Sequence, residues 1–292
     1  MNIDRSLFAG AGGVRFVSPT FSTGSTQGDR RAQAIGQGSE FADHRPYQPG
    51  DDLRRVDWNA YTRLSTLLIR LYHADRDQRI HLYIDATGSM GVDDKLDRAG
   101  TIAMCLALVG LHHRDRVVVG CLRGDATPVV VSGQDTRALP GMLHALAPVQ
   151  ASGSNDLRSA MLRCSGERRA DRGILLSDLL MSDEELITTM RTLAATAARP
   201  AVIQVLGPSD LTPTLRGALE LQDAETGRKL RVAGSRKLEE AYAVAFSAWQ
   251  KRVAAAAARY RVQLITAPTT VPVRTILTEA LRKAGILEGQ AR

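Results

Sequence analysis

The stretch "RIHLYIDATGSM", residues 79–90, decides the fold. Its first half is an apolar run rich in Ile, Leu and Tyr, which is typical of a buried β-strand. The run ends at Asp85, and two hydroxyl residues, Thr87 and Ser89, follow at alternate positions. A long pattern of helical periodicity begins near Asp93. The stretch therefore predicts a strand, a polar loop and a helix in succession.

Strands and helices continue to alternate from residue 67 to the end of the sequence. The apolar runs "GILLSDLL" (173–180) and "AVIQVLG" (201–207) predict further buried strands. Between them, Ser182 and Glu185 have the spacing of a capping box, which predicts the start of a helix. This alternation predicts an α/β fold, a doubly wound and mostly parallel sheet with helices on both faces.

The composition divides the chain into three parts. Residues 1–38 are rich in Gly, Ser, Thr and Gln and predict a flexible N-terminal lead-in. Residues 39–78 mix acids, bases, aromatics and prolines, and we expect this segment to pack on the core. Residues 79–292 form the main α/β domain, with a β-hairpin insertion predicted at about 217–233.

Charge and composition restrict the class of function. Hydrophobic residues make up 44% of the chain and charged residues 24%, as in ordinary globular proteins. No apolar run of about 18 residues predicts a membrane span, and no secretory leader pattern opens the chain. The three cysteines are unclustered, so we expect a cytoplasmic protein. The net charge is +7, but the basic residues are dispersed, so nucleic-acid binding is only an alternative.

Oxygen-bearing side chains collect where predicted strands end. Asp85, Thr87 and Ser89 follow the first core strand, Asp178 ends a later one, and Asn155 lies in the loop "ASGSNDL". In doubly wound folds, ligands bind beyond the carboxyl ends of the strands. These oxygens suit a hard cation, so we expect a site for Mg²⁺, or for Mn²⁺ or Ca²⁺. The alternative is that these side chains only cap the helices that follow them.

This pattern resembles the metal-ion-dependent adhesion site of von Willebrand factor A-like domains. The resemblance rests on D-x-T-x-S after the first strand and on Asp178 after a later one. It implies a threonine ligand in the second loop, where this chain has Asn155. The side-chain carbonyl of asparagine is also an oxygen donor, and the neighbouring Ser154 is an alternative ligand.

The segment "SEFADHRPYQPGDDLRRVDWNAYTR", residues 39–63, resembles the signature of the bacterial "domain of unknown function 58" family, and "LQDAETGRKL" (221–230) resembles that family too. The signature residues are Arg45, Tyr47, Gly50, Asp51, Arg54, Asp57 and Trp58. Physically, we favour a rigid clasp held by arginine–carboxylate pairs, since buried charges need partners. An exposed partner-binding surface and a catalytic cluster are the alternatives.

These observations favour a non-enzymatic, metal-dependent protein-binding module. A bound cation with an open position would accept a carboxylate from a partner protein. The family resemblance implies a MoxR-type AAA+ ATPase as partner, in the assembly or maturation of protein complexes. The alternative is a Mg-dependent phosphoryl-transfer hydrolase with Asp85 as nucleophile. Two features argue against it: Thr87 stands where such enzymes have a second Asp, and no lysine is evident beside the later strand end.

Overall fold

The computed structural model describes residues 1–3, 13–17, 41–72, 77–123, 127–154, 156–166 and 168–289. The chain divides into a larger unit, Met1–Ser18 with Gln78–Arg292, and a smaller unit, Pro19–Asp77. The larger unit begins with a short strand, β1 (Val14–Phe16). This strand lies inside the predicted lead-in, most of which is outside the described residues.

The smaller unit is a two-stranded antiparallel ribbon with a short helix in its connection. Strand β2 (Phe41–Pro46) pairs with β3 (Leu68–Tyr72), and helix α1 (Trp58–Leu64) lies between them in sequence. Asp57 starts the helix, because its Oδ1 accepts hydrogen bonds from the amides of Asn59 and Ala60, both at 3.0 Å. The mixed-charge sequence gave no periodicity that predicts this helix.

The larger unit contains the strands predicted from the apolar runs and one short strand, β12 (Leu287–Gly289), that was not predicted. The others are β4 (Arg79–Ala86), β5 (Arg116–Arg123), β6 (Val129–Gly133), β7 (Ala170–Ser177), β8 (Ala197–Leu206), β9 (Gly217–Gln222), β10 (Lys229–Gly234) and β11 (Gln263–Pro268). Six of them form the central sheet, in the order β11-β8-β7-β4-β5-β6. Only β6 runs antiparallel to its neighbour in this sheet. The predicted α/β fold with a mostly parallel sheet is therefore confirmed.

Helices cover both faces of this sheet. They are α2 (Lys95–His112), α3 (Leu139–Leu146), α4 (Leu157–Ser165), α5 (Asp183–Thr196), α6 (Pro208–Leu211), α7 (Arg236–Arg259), α8 (Val273–Thr275) and α9 (Leu281–Lys283). The first core contains residues of α2, α3, α8 and α9, and the second contains residues of α4, α5 and α7. None of the described helices is long and apolar enough to cross a membrane.

Strand β4 lies at the centre and contributes to both cores. Ile80, Leu82 and Ile84 belong to the first core, and Tyr83 belongs to the second. This alternation follows from the two-residue period of a strand. The chain passes from β4 to β5 on one side, whereas β7 pairs on the other side of β4. The strand order therefore reverses between β4 and β7, which is where this fold class binds ligands.

In the described part of the larger unit, two antiparallel pairs lie outside the central sheet. Strands β1 and β12 pair through Val14–Gly289, Arg15–Glu288 and Phe16–Leu287. Strands β9 and β10 form a hairpin at 217–234, and most of its residues are exposed. This hairpin is the segment that places an acidic tip near the candidate site.

Candidate cation site at the sheet edge

Asp85 and Asp178 lie at the edge where the strand order reverses. Asp85 is near the end of β4, and Asp178 comes directly after β7. The two strands are parallel neighbours, with Ile84 paired to Leu176. Thr87 and Ser89 follow in the loop after β4, and all four predicted residues line one pocket of about 450 Å³. The structure thus brings together the predicted residues of the first and third loops.

Asp85 is held by hydrogen bonds from two neighbouring residues. Its Oδ1 accepts from the amide of Thr87 at 3.0 Å, and its Oδ2 accepts from Ser177 Oγ at 2.6 Å. Thr87 Oγ1 and Ser89 Oγ are 3.3 Å apart. Burial, and then repulsion by Asp178, raise the pKa of Asp85 to about 6. The site therefore holds negative charge that its own hydrogen bonds do not fully compensate.

The backbone after β7 is held in an unusual conformation. Leu179 is buried and has a φ of 62°, in the left-handed region that bulky residues rarely adopt. Two bonds fix it: the Leu179 amide donates to Ser177 Oγ at 3.0 Å, and the Leu180 amide donates to Asp178 Oδ1 at 3.1 Å. Ser177 was not predicted as a site residue, yet it connects the ends of β4 and β7.

A buried lysine contacts Asp178 from another element. Lys95, the first residue of α2, donates from Nζ to Asp178 Oδ2 at 2.8 Å and to Asp210 Oδ2 at 3.0 Å. Burial opposes the charge on Lys95, but the two carboxylates together raise its pKa. The expectation that no lysine lies beside the later strand end was wrong. Sequence alone did not indicate the contact, because folding joins residues 83 positions apart.

The pocket is acidic although the whole chain is basic. Among the residues that the structure describes, its acidic lining consists of Asp85, Asp156, Asp178, Glu184, Glu185 and Glu225, and its basic lining residue is Arg158. Glu184 and Glu185 come from the first turn of α5, and Glu225 from the turn between β9 and β10. None of these three was predicted as a site residue. The lining attracts cations in a protein of net charge +7.

In the second predicted loop, "ASGSNDL", the structure describes the residues on either side of Asn155. Asn155 lies outside the described residues, whereas Ser154 and Asp156 line the pocket. Asp156 also starts α4, where its carboxylate accepts hydrogen bonds from the amide and hydroxyl of Ser159. Those bonds, the hydroxyl first, lower the pKa of Asp156. Because the carboxylate of Asp156 is used to start α4, Ser154 is the described residue of this loop that we consider as a ligand.

The signature residues of the smaller unit form local charge pairs. Arg45 donates from Nη1 to Asp51 Oδ2 at 2.7 Å and from Nη2 to Oδ1 at 2.5 Å. Asp51 also accepts from the amide of Gln48 at 2.8 Å, and Gly50 takes a φ of 104° in the turn between them. His44 Nε2 lies 2.8 Å from Asp57 Oδ2, on the carboxylate that starts α1. Arg45 and Asp51 therefore form an arginine–carboxylate pair of the kind proposed for the clasp, and the clasp itself stays a prediction.

The tryptophan of the signature lies outside that arrangement. Trp58 is 56% exposed and makes an edge-to-face contact with Tyr61, which is 42% exposed. Arg54 is exposed and Tyr47 is half-buried. Asp57 starts α1 in an orientation that buries Ala60, so Trp58 falls on the outer side of the helix.

Comparison with known proteins gives the family. Residues 43–252 match the family described as "Protein of unknown function DUF58", and the chain belongs to that family. The chain is 33% identical over 215 residues to the uncharacterized proteins Rv1480 of Mycobacterium tuberculosis and Mb1516 of Mycobacterium bovis. Each match covers 70% of this chain and 66% of the relative, so the chain spans about two thirds of their length.

Solved structures with a similar arrangement were also found. One is the conserved hypothetical protein BatB from Bacteroides thetaiotaomicron, with 10% identity and a TM-score of 0.42, covering 71% of this chain and 98% of that one. Another is an aerotolerance-related membrane protein from Bacteroides fragilis, with 12% identity and a TM-score of 0.40, covering 70% of this chain and 99% of that one.

Proposed function

We propose that the protein is a non-enzymatic, cation-dependent protein-binding module with a von Willebrand factor A-like core. One observation carries the proposal: Asp85, Thr87, Ser89 and Asp178 line one acidic pocket where the strand order reverses. Through the resemblance of its signature segment, the partner is a MoxR-type AAA+ ATPase, and the process is assembly or maturation of protein complexes. The family is described as one of unknown function, so this assignment rests on the pocket and the resemblance together.

The donor set of the pocket suits Mg²⁺. Two carboxylates and two hydroxyls supply hard oxygens, and Mg²⁺ retains several waters, so a few protein ligands suffice. Among the described residues, no three His, Cys, Asp or Glu side chains form a metal-ligating cluster. A cation would therefore depend on the hydroxyls of Thr87 and Ser89 as well as on Asp85 and Asp178.

Unsatisfied groups beside Asp178 support the same proposal. Within the described part of the chain, Asp178 accepts two hydrogen bonds, one on each oxygen, whereas a carboxylate can accept about four. Gln204 is fully buried on β8, and its Nε2 lies 3.4 Å from the backbone oxygen of Asp178. Its Oε1 has no hydrogen-bond partner among the described residues. Acceptor capacity therefore remains at this end of the sheet.

A bound cation would supply a positive point at the sheet edge, open to an acidic side chain of a partner. The residues of this chain would hold it in place: Ser177 orients Asp85, and the Leu180 amide orients Asp178. Preorganised acceptors of this kind lower the entropy lost on binding. The partner would contribute a carboxylate. The acidic lining repels such a group when the pocket is empty, and the bound cation attracts it, so binding would depend on the cation.

Divalent-ion titration tests the proposal. Mg²⁺ or Mn²⁺ should raise the melting temperature of the full chain, since an ion at about 100 times its Kd stabilises by about 2.7 kcal/mol. Asp85→Asn should abolish the rise. Asp94→Asn is the matched control, because Asp94 is exposed near α2 and has a φ of 55°, which asparagine tolerates. No response of the wild type to either ion would refute the site.

A second candidate is a Mg-dependent phosphoryl-transfer hydrolase with Asp85 as nucleophile. The lysine contact of Asp178 favours it, because such enzymes place a lysine near the reacting phosphate. However, Lys95 Nζ is bonded to Asp178 and Asp210 and does not line the pocket. An assay with para-nitrophenyl phosphate decides between the two. Mg-dependent turnover that Asp85→Asn abolishes would establish the hydrolase and reject the binding module.

A further inference from the structure

The turn between β9 and β10 is a structured tip rather than a loose loop. Asp223 Oδ1 accepts hydrogen bonds from the amides of Glu225 at 3.0 Å and Thr226 at 2.7 Å. Gly227 follows with a φ of 70°, and its amide donates to the Asp223 backbone oxygen at 2.9 Å. These bonds fix the backbone at Glu225, so the direction of this side chain is set by the turn.

This tip lies against the loop that follows β4. A Cβ placed on Gly88 would overlap the backbone oxygen of Ala224 and lie 3.3 Å from the Cα of Glu225. Gly88 is the residue between Thr87 and Ser89, the two candidate hydroxyl ligands. The tip backbone therefore lies so close to this loop that only glycine fits at position 88.

Because the hairpin tip lies close to Gly88, its acidic residue Glu225 lies at the pocket. It lines the pocket together with Asp85 and Asp178 and is half-buried, although most of the hairpin is exposed. Burial, and then repulsion by Asp85 and Asp178, raise the pKa of Glu225. Among the described residues, its carboxylate has no hydrogen bond or ion pair. In this structure the three carboxylates do not form a metal-ligating cluster among the described residues, so a bound cation would draw Glu225 toward Asp85 and Asp178.

We infer that Glu225 is the carboxylate that occupies the open side of the cation when no partner is bound. This inference rests on the proposed cation site and extends it, because it names an occupant within the same chain. An acidic partner would then have to displace the hairpin tip before it reached the cation. The partner class is therefore a protein segment with an exposed Asp or Glu that competes with Glu225.

The rest of the hairpin is suited to such displacement. Its strands are largely exposed, and its ion pairs are surface pairs of Glu220 with Lys229 and Arg231. Exposed pairs of this kind contribute little to stability. The base of the hairpin is held by Leu215, which is buried. Displacing the tip would therefore break its contact at Gly88 and leave the buried base in place.

Amide hydrogen exchange on the full chain, with and without Mg²⁺, tests this inference. In the wild type, Mg²⁺ should slow exchange of the tip amides at residues 223–228 several-fold and should also raise the melting temperature. In Glu225→Gln, Mg²⁺ should still raise the melting temperature but should no longer slow exchange at the tip. Glu220→Gln is the matched control, because it removes one carboxylate from the same hairpin outside the pocket, and it should behave as the wild type.

The two readouts separate this inference from the proposed function. A melting temperature that rises with Mg²⁺, while tip exchange is unchanged in the wild type, would overturn the inference and leave the cation site standing. Tip protection that persists in Glu225→Gln would overturn it as well. If Mg²⁺ had no effect on the melting temperature of the wild type, the cation site and the inference would both be rejected.

Discussion

Lys95 Nζ lies 2.8 Å from Asp178 Oδ2, and both side chains are almost completely buried. The same ammonium group reaches Asp210, so one lysine joins the start of α2, the end of β7 and helix α6. Buried charges are tolerated only when they are paired, and removing one partner leaves the others uncompensated. This cluster therefore fixes the edge of the sheet on which the candidate site depends.

Replacing this lysine should destabilise the protein strongly. Lys95→Met keeps most of the side-chain volume but leaves Asp178 and Asp210 without their cation, a loss of about 3–5 kcal/mol. Urea denaturation of the full chain measures the change. Lys229→Met is the control, because Lys229 pairs with Glu220 at the exposed surface, and its loss should be below about 1 kcal/mol. Equal effects of the two variants would show that the buried cluster contributes no more than a surface pair.

The same variant also tests the position of the cation. Without the ammonium group, the charge of Asp178 is no longer compensated, so Mg²⁺ should raise the melting temperature of Lys95→Met more than that of the wild type. Thermal melts over a range of Mg²⁺ concentrations measure the difference. A smaller rise in Lys95→Met would mean that Lys95 supports the cation rather than competing with it.

Two adjacent residues of the smaller unit should respond in opposite ways. Asp57→Ala removes the carboxylate that starts α1, and loss of such a helix cap costs about 0.5–2 kcal/mol. Trp58→Ala removes a side chain that is 56% exposed, so stability should change by less than about 0.5 kcal/mol. Urea denaturation checks both. A large loss with Trp58→Ala would show that this tryptophan is packed in the folded protein.

Gly88→Ala should loosen the hairpin without unfolding the core. The added methyl group would overlap the backbone of Ala224, so the tip has to move away from the loop. Trypsin should then cut faster after Arg228 and Lys229, which limited proteolysis with mass spectrometry detects. Gly141→Ala in α3 is the control, because a Cβ there meets nothing within 4 Å. Unchanged cleavage in Gly88→Ala would contradict the close approach of the tip.

His81 should make stability depend on pH. Burial, and then the charge of Arg79, lower its pKa, so the folded protein keeps His81 neutral while the unfolded chain takes up a proton. The contribution of His81 to the free energy of unfolding is therefore fully present above about pH 6.5. It decreases as the pH falls, by at most about 1.4 kcal/mol per pH unit. His81→Gln should show a shallower loss between pH 7 and pH 5.5 in urea denaturation. His144→Gln, at an exposed position, should follow the wild type.

The sheet and part of the site could be predicted from the sequence for simple reasons. Apolar strands that end in Asp85 and Asp178 have local patterns, and the rule for parallel sheets places their ends at one edge. Lys95 and Glu225 could not be predicted, because their contacts depend on how distant elements pack. Helix α1 was missed for another reason: seven residues are too few to show a helical period.

The left-handed backbone at Leu179 has a consequence for how this protein can change. Glycine would adopt that conformation without strain, but the leucine side chain fills the second core beneath α5. Leu179 thus packs in the core with its side chain and positions the neighbouring Asp178 with its backbone. A substitution in the core around Leu179 would shift this backbone and so move Asp178 in the pocket. Changes in core packing would therefore also change which ligand the pocket prefers.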